Sequence, residues 1–146
     1  TPPHVKFVGI SRSMEYSLSF IERIHEEMER RQQAFGKITS LKEYRKEHGS
    51  DSMPRILIVI DEFHKMSDHV RDDPEHKQML TNILKEARSV GISLLLSDQT
   101  CGIGLRGLSE EGKEQLTLRM SMRSSIDEYN AVMGSRMPAM CANSRC

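Results

Sequence analysis

Neither sign of charge dominates this chain: 21 Lys and Arg stand against 21 Asp and Glu, for a formal net charge of zero. Bulk charge therefore gives no support to nucleic-acid binding, and only a local basic patch would allow it. No run approaches the ~18 consecutive apolar residues that a transmembrane helix needs. The first residues, Thr1-Pro2-Pro3-His4-Val5, contain no apolar h-region, which argues against a signal peptide. They also lack an initiator Met, and the expectation is a processed chain or a piece of a longer protein. Cysteine is scarce. Cys101, Cys141 and Cys146 make an odd count without a CxxC pair, which argues against a disulfide framework and fits a reducing, cytoplasmic compartment. Zinc at the last two lacks ligands, because no His lies beyond His76. There is no internal repeat and no low-complexity tract.

What is present fits one globular domain: 146 residues, 37% apolar and 29% charged. Val5 to Ile10 reads as a short strand. Met14, Leu18, Ile21, Ile24 and Met28 recur at helical spacing and predict a long amphipathic helix over 14–35, stopped by Gly36. Its charges Glu26, Glu27, Glu29, Arg30 and Arg31 are expected mostly on a solvated face, paired as Glu26–Arg30 and Glu27–Arg31. Ser40 with Glu43 forms a capping box for a short helix to about His48. Phe63 to Val70 is a loop or short helix. Asp73 and Pro74 open another helix, striped by Met79, Leu80, Ile83, Leu84, Ala87 and Val90 and stopped at Gly91. Ile92 to Leu96 reads as a second buried strand, and the alternation from Leu116 to Met122 as a third. Ile126 to Met133 reads as a helix, and 135–146 as an irregular tail after a domain spanning 1–134. Strands separated by helices predict a three-layer α/β fold with a mainly parallel sheet.

The most informative segment is Ile56-Leu57-Ile58-Val59-Ile60-Asp61-Glu62. A branched aliphatic run without polar alternation suits a strand buried on both faces of a parallel sheet. It delivers two carboxylates to the carboxyl edge, where α/β proteins bind ligands. Asp61 there could hold Mg²⁺ through water, and Glu62 could polarise a water attacking a γ-phosphate, the Walker B arrangement of P-loop ATPases. The plainer reading is a core strand ending in two surface acids. Gly102, Gly104 and Gly107 match the dinucleotide fingerprint in letters, but the strand ends six residues before Gly102, and a flexible loop is the better reading. His64, His69 and His76 lie among Asp61, Asp68, Asp72 and Asp73 without the spacing of a zinc motif.

Several segments, in order over roughly 15–134, resemble the FtsK/SpoIIIE family of motor ATPases, which covers chromosome translocases and type VII secretion ATPases. They are Glu27-Met28-Glu29-Arg30-Arg31, Tyr44, Met53-Pro54-Arg55-Ile56 through Asp61-Glu62-Phe63, Arg88-Ser89-Val90-Gly91-Ile92 with Leu94 to Gln99, and Ser124 to Gly134. The resemblance implies a partial RecA-like P-loop ATPase core. It implies ATP and Mg²⁺ as cofactors, with Asp61 on the metal, Glu62 catalytic and Gln99 sensing the γ-phosphate. Arg88 would serve nucleotide binding, or only favour the C-terminus of its helix. Arg119, or else Arg123, would be an arginine finger reaching a neighbour's nucleotide, or an ordinary surface arginine. The implied partners are a homo-oligomeric ring and a polymer substrate, DNA or a secreted protein. The resemblance is compatible with a membrane anchor in the parent.

The chain departs from the family in four ways, two of them being Cys101 where the family often has Pro and Glu114-Gln115-Leu116-Thr117-Leu118-Arg119 in place of an Asn-Phe-Pro-Thr-Arg region. It has no Gly-x-x-x-x-Gly-Lys-Ser/Thr loop, so the expected partner is a Walker A-containing portion of the same protein, and this chain alone is expected to be inactive. Ser97-Asp98-Gln99 replaces the usual Ala-Thr-Gln, and a third carboxylate would repel phosphate unless metal-bound or turned away. A degenerate, non-hydrolysing domain used for protein binding is the alternative.

Overall fold

A computed structural model describes residues 13–98, together with Gly112, 114–116, Leu118 and Met120. Helix α1, Met14–Phe35, starts where the Ser13 side chain accepts from the Tyr16 N–H and stops at Gly36, whose φ is 57°. Helix α2, Leu41–His48, is capped by Ser40, which accepts from the Glu43 N–H. The expected capping box closes one residue early, because Glu43 Oε2 accepts from the N–H and hydroxyl of Thr39. Strand β1, Ile56–Ile60, is followed directly by helix α3, Phe63–Val70. Helix α4, Pro74–Glu86, opens on Asp73, which accepts from the N–H groups of Glu75 and His76. The helical stripe predicted up to Val90 does not continue as α-helix. From Ala87 the chain tightens into turns, with the Ser89 N–H on Glu86 and the Gly91 N–H on Arg88, before strand β2, Ile92–Leu96.

β1 and β2 are parallel, with Ile56 opposite Ile92 and Ile60 opposite Leu96. The alternation of a strand puts Ile56, Ile58 and Ile60 on one face with Ile92, Leu94 and Leu96. That face packs against a core of Ile21, Ile24, Met28 and Phe35 from α1, Phe63, Met66 and Val70 from α3, and Leu80 and Ile83 from α4. The opposite face is open. Leu57 is 66% exposed, Val59 59% and Leu95 46%. The expectation that both faces are buried is therefore met on one side only, and a three-layer core is not seen among the described residues. Helices with a two-stranded parallel sheet are nevertheless compatible with an α/β fold.

The expected third strand is not formed where it can be followed: Leu116, Leu118 and Met120 belong to no strand, and Leu118 and Met120 are exposed. Their apolar alternation has no described strand beside it to pair with. The elements expected at 5–10, 102–107, 126–133 and 135–146 lie outside the described residues.

The charged stretch of α1 is also rearranged. Arg30 pairs with Glu27, one turn back, rather than with Glu26. Arg31 is not solvated but 2% exposed, donating to Glu27 at 2.8 Å and to the Val90 carbonyl at 3.0 Å. A buried guanidinium is tolerable because both a carboxylate and a carbonyl receive it.

Candidate functional site

The parallel register places Asp61 beside Ser97 just beyond the strand ends, and the Ser97 hydroxyl donates to Asp61 Oδ1 at 2.6 Å. The Glu62 N–H donates to the same oxygen at 3.0 Å. The Ser97 bond first, then that of Glu62, holds the Asp61 carboxyl below its ordinary range, with Lys65 contributing its charge. Asp61 is therefore an exposed anion at neutral pH, oriented through one oxygen.

Glu62 carries the sharp exit from β1. Its φ and ψ are both 51°, the left-handed region that non-glycine residues rarely enter. The turn that results starts α3 immediately and brings Lys65 back onto the Glu62 carboxylate as an ion pair. Backbone strain of this kind at the edge of a sheet is characteristic of sites whose geometry matters more than stability.

Glu62, at the N-cap position, gives α3 no side-chain cap. The cap comes from β2 instead. The Phe63 N–H donates to the Ser97 carbonyl at 3.0 Å, and Asp98 Oδ2 accepts from the His64 N–H at 2.7 Å. Asp98 Oδ1 meets His64 Nδ1 at 2.9 Å. The carboxylate that looked like a third repelling charge is thus turned onto a helix N-terminus, where the His64 N–H and the helix dipole favour it. The other histidines are engaged elsewhere: His69 Nδ1 with the Ser17 hydroxyl, and His76 with Asp73 and Glu22.

Of the predicted site residues, Asp61 and Glu62 are adjacent at this edge. Arg88 is not beside them. It lies in the turn before β2, and parallel strands put that end a full strand length away, ~13 Å or more at the usual rise. It is exposed, and it follows α4 rather than occupying its last turn. Gln99 and Arg119 lie outside the described residues. Ser97, Lys65 and the His64–Asp98 pair were not foreseen as parts of the site. Once β1 and β2 are known to be neighbours, aligning Ile60 with Leu96 is enough to predict the Asp61–Ser97 contact.

The Arg88 to Ile92 segment has its own physical logic. Gly91 has φ 82°, and a Cβ there would stand 2.4 Å from Leu41 Cδ2. The Ser89 carbonyl accepts from the Leu41 N–H, the Gly91 carbonyl from the Ile56 N–H, and the Val90 carbonyl from Arg31. One glycine turn therefore joins α1, α2 and both strands.

No protein-family model matches the chain, and no curated protein does. One solved structure does. The chain is similar to the cytoplasmic domain of the type VII secretion ATPase EccC of Thermomonospora curvata. Identity is 30%, the match covers 84% of this chain, and the TM-score is 0.55. The match spans 15% of that solved chain. This likeness supports the FtsK/SpoIIIE resemblance at the level of family. Among the described residues no helix is long and apolar enough to cross a membrane.

Proposed function

We propose that this chain is the Walker B-containing part of an FtsK/SpoIIIE-like motor ATPase of the type VII secretion branch, coupling Mg·ATP hydrolysis to movement of a secreted protein. The observation that carries the reading is the edge of the sheet: an ionised Asp61 held by Ser97, next to Glu62 in a strained turn, in a chain similar to a secretion ATPase. The open face of Leu57, Val59 and Leu95 is what a sheet presents when a covering layer belongs to another segment, such as the Walker A-containing portion.

The residues fit half of the ligand. A single exposed carboxylate with one oxygen uncommitted suits Mg²⁺, which keeps several waters and takes its other ligands from phosphates. Among the described residues no cluster of acidic, His or Cys side chains could enclose a metal alone. No Gly-x-x-x-x-Gly-Lys-Ser/Thr loop is in the sequence to cradle the phosphates. When bound, Mg·ATP supplies the scissile phosphoryl group; this chain's part is to hold Asp61 charged and Glu62 at a fixed exit angle. The Lys65 ion pair holds the Glu62 side chain back on the first turn of α3. Gln99 would sense the γ-phosphate. Arg119 would serve a neighbouring subunit of a ring, and Arg88, at the far end of the sheet from Asp61, lends no support to the nucleotide-binding role expected of it.

The degenerate, protein-binding alternative drew on the absent Gly-x-x-x-x-Gly-Lys-Ser/Thr loop and on Asp98; the Asp98 carboxylate is committed to His64, while the loop is not in this sequence. The test is steady-state ATPase activity of the full-length parent protein. Glu62→Gln is expected to remove hydrolysis while retaining nucleotide, and Asp61→Asn to weaken Mg²⁺ dependence. Unchanged turnover in Glu62→Gln would exclude the catalytic role.

A further inference from the structure

At the other end of the sheet, away from the carboxylates, Leu41, Lys42, Arg45, Lys46, Ser50 and Arg55 line an open pocket of about 370 Å³. We propose that this pocket is a binding site for a phosphate-bearing ligand, separate from the Asp61–Glu62 edge.

Four cations from α2 and the residue before β1 converge on one concavity in a chain of zero net charge. Lys42 and Lys46 stand one turn apart on the same face of α2. Arg55 reaches the pocket from the residue before β1. Arg45 donates to the carbonyls of Ser52 and Met53, each at 3.1 Å, which fixes the loop that forms the far wall while keeping its charge in place. Lys42, Lys46 and Arg55 have no ion-pair partner among the described residues. No carboxylate lines the pocket. The nearby acids are Glu43, turned to Thr39; Asp51, which accepts from the Ser50 hydroxyl at 3.4 Å; and Glu47, on the adjoining helix face.

Cations at the end of α2 are favoured by the helix dipole, which accounts for Arg45 and Lys46. It does not account for Arg55, which stands just before β1 and adds repulsion. Like charges this close are unfavourable until an anion joins them. A lone carboxylate would balance one of four charges, whereas a phosphate group brings up to two, and an oligophosphate more.

The test is calorimetric titration of the full chain with sodium tripolyphosphate and, separately, with a single-stranded oligothymidylate. Wild type is expected to bind at least one probe, and Lys46→Gln/Arg55→Gln to weaken that binding about tenfold or more. Both side chains are exposed, so the thermal midpoint of the variant should match wild type. The control Lys77→Gln/Lys85→Gln should bind as wild type does. Tripolyphosphate binding identifies a compact phosphorylated ligand; oligothymidylate binding alone identifies a polynucleotide backbone. No binding of either probe overturns the proposal. So does binding that ignores the Lys46/Arg55 change, or that falls equally in the control.

Discussion

Asp98 holds His64 at two points: Oδ2 receives the backbone N–H at 2.7 Å and Oδ1 meets the ring Nδ1 at 2.9 Å. The contact ties the end of β2 to the first turn of α3 and so fixes the direction in which the chain leaves Glu62. Asp98→Ala removes both bonds and is expected to cost about 1–2 kcal/mol, the range for a lost helix cap. His64→Ala removes only the ring contact and should cost less. Urea unfolding of the two variants decides it, and an equal loss in both would show that the cap contributes nothing.

Relief of strain at Glu62 should be measurable. At φ 51° glycine has no Cβ penalty, and Glu62→Gly is expected to stabilise the fold by about 1 kcal/mol. The Lys65 ion pair lost with it is half-exposed and offsets little. Glu62→Gln keeps the strain and should show no such gain. A lower thermal midpoint in Glu62→Gly than in Glu62→Gln would mean that the left-handed turn is not a source of strain.

Gly91 is the opposite case, a glycine that cannot be replaced. Gly91→Ala meets both a positive φ and Leu41 at 2.4 Å, so a loss of about 2 kcal/mol is expected. Because the clash is with a side chain, Leu41→Ala should make the second change less costly than it is alone. A double-mutant cycle reads this coupling directly. Strict additivity would mean that the contact is not the reason for glycine.

His76 makes the stability depend on pH. Burial opposes protonation of its ring, but bonds from Glu22 and Asp73 outweigh it and raise the pKa above 6.5. A raised folded-state value means that the protonated ring stabilises α1 against α4. That stability is complete below the unfolded value of about 6.5 and is lost as pH rises through the folded value. Denaturation midpoints between about pH 5 and 9 should fall on the alkaline side in wild type, and His76→Gln should flatten that fall. A midpoint that rises over the same range would reverse the sign.

A second titration works from the acid side. Bonding to Arg30 first, with Arg31 adding to it against the effect of burial, pulls the Glu27 carboxyl down to about 2. Its stability is present above about 4.5 and is lost as pH falls toward 2. Glu27→Gln should therefore make the acid limb of the stability profile shallower. It should also destabilise the fold at neutral pH, because Arg31 is buried and loses its carboxylate.

The sequence by itself determined the local structure. Helical spacing marked α1 from Met14 to Phe35, Asp73-Pro74 opened α4, and the aliphatic runs marked β1 and β2, because caps and periodicity act over a few residues. Where the reading failed, the missing partner was far along the chain. Arg31 was placed on the solvated face because nothing local shows that the Val90 carbonyl, 59 residues away, will receive it. Asp98 looked like a repelling charge because its partner, the start of α3, is 34 residues earlier. The aliphatics of β1 suggested cover on both faces, yet hydrophobicity states only that a surface should be buried, not that a layer is at hand to bury it. Tertiary structure decided those points, since only the parallel pairing of β1 with β2 sets Asp61 beside Ser97 and turns Asp98 away from them.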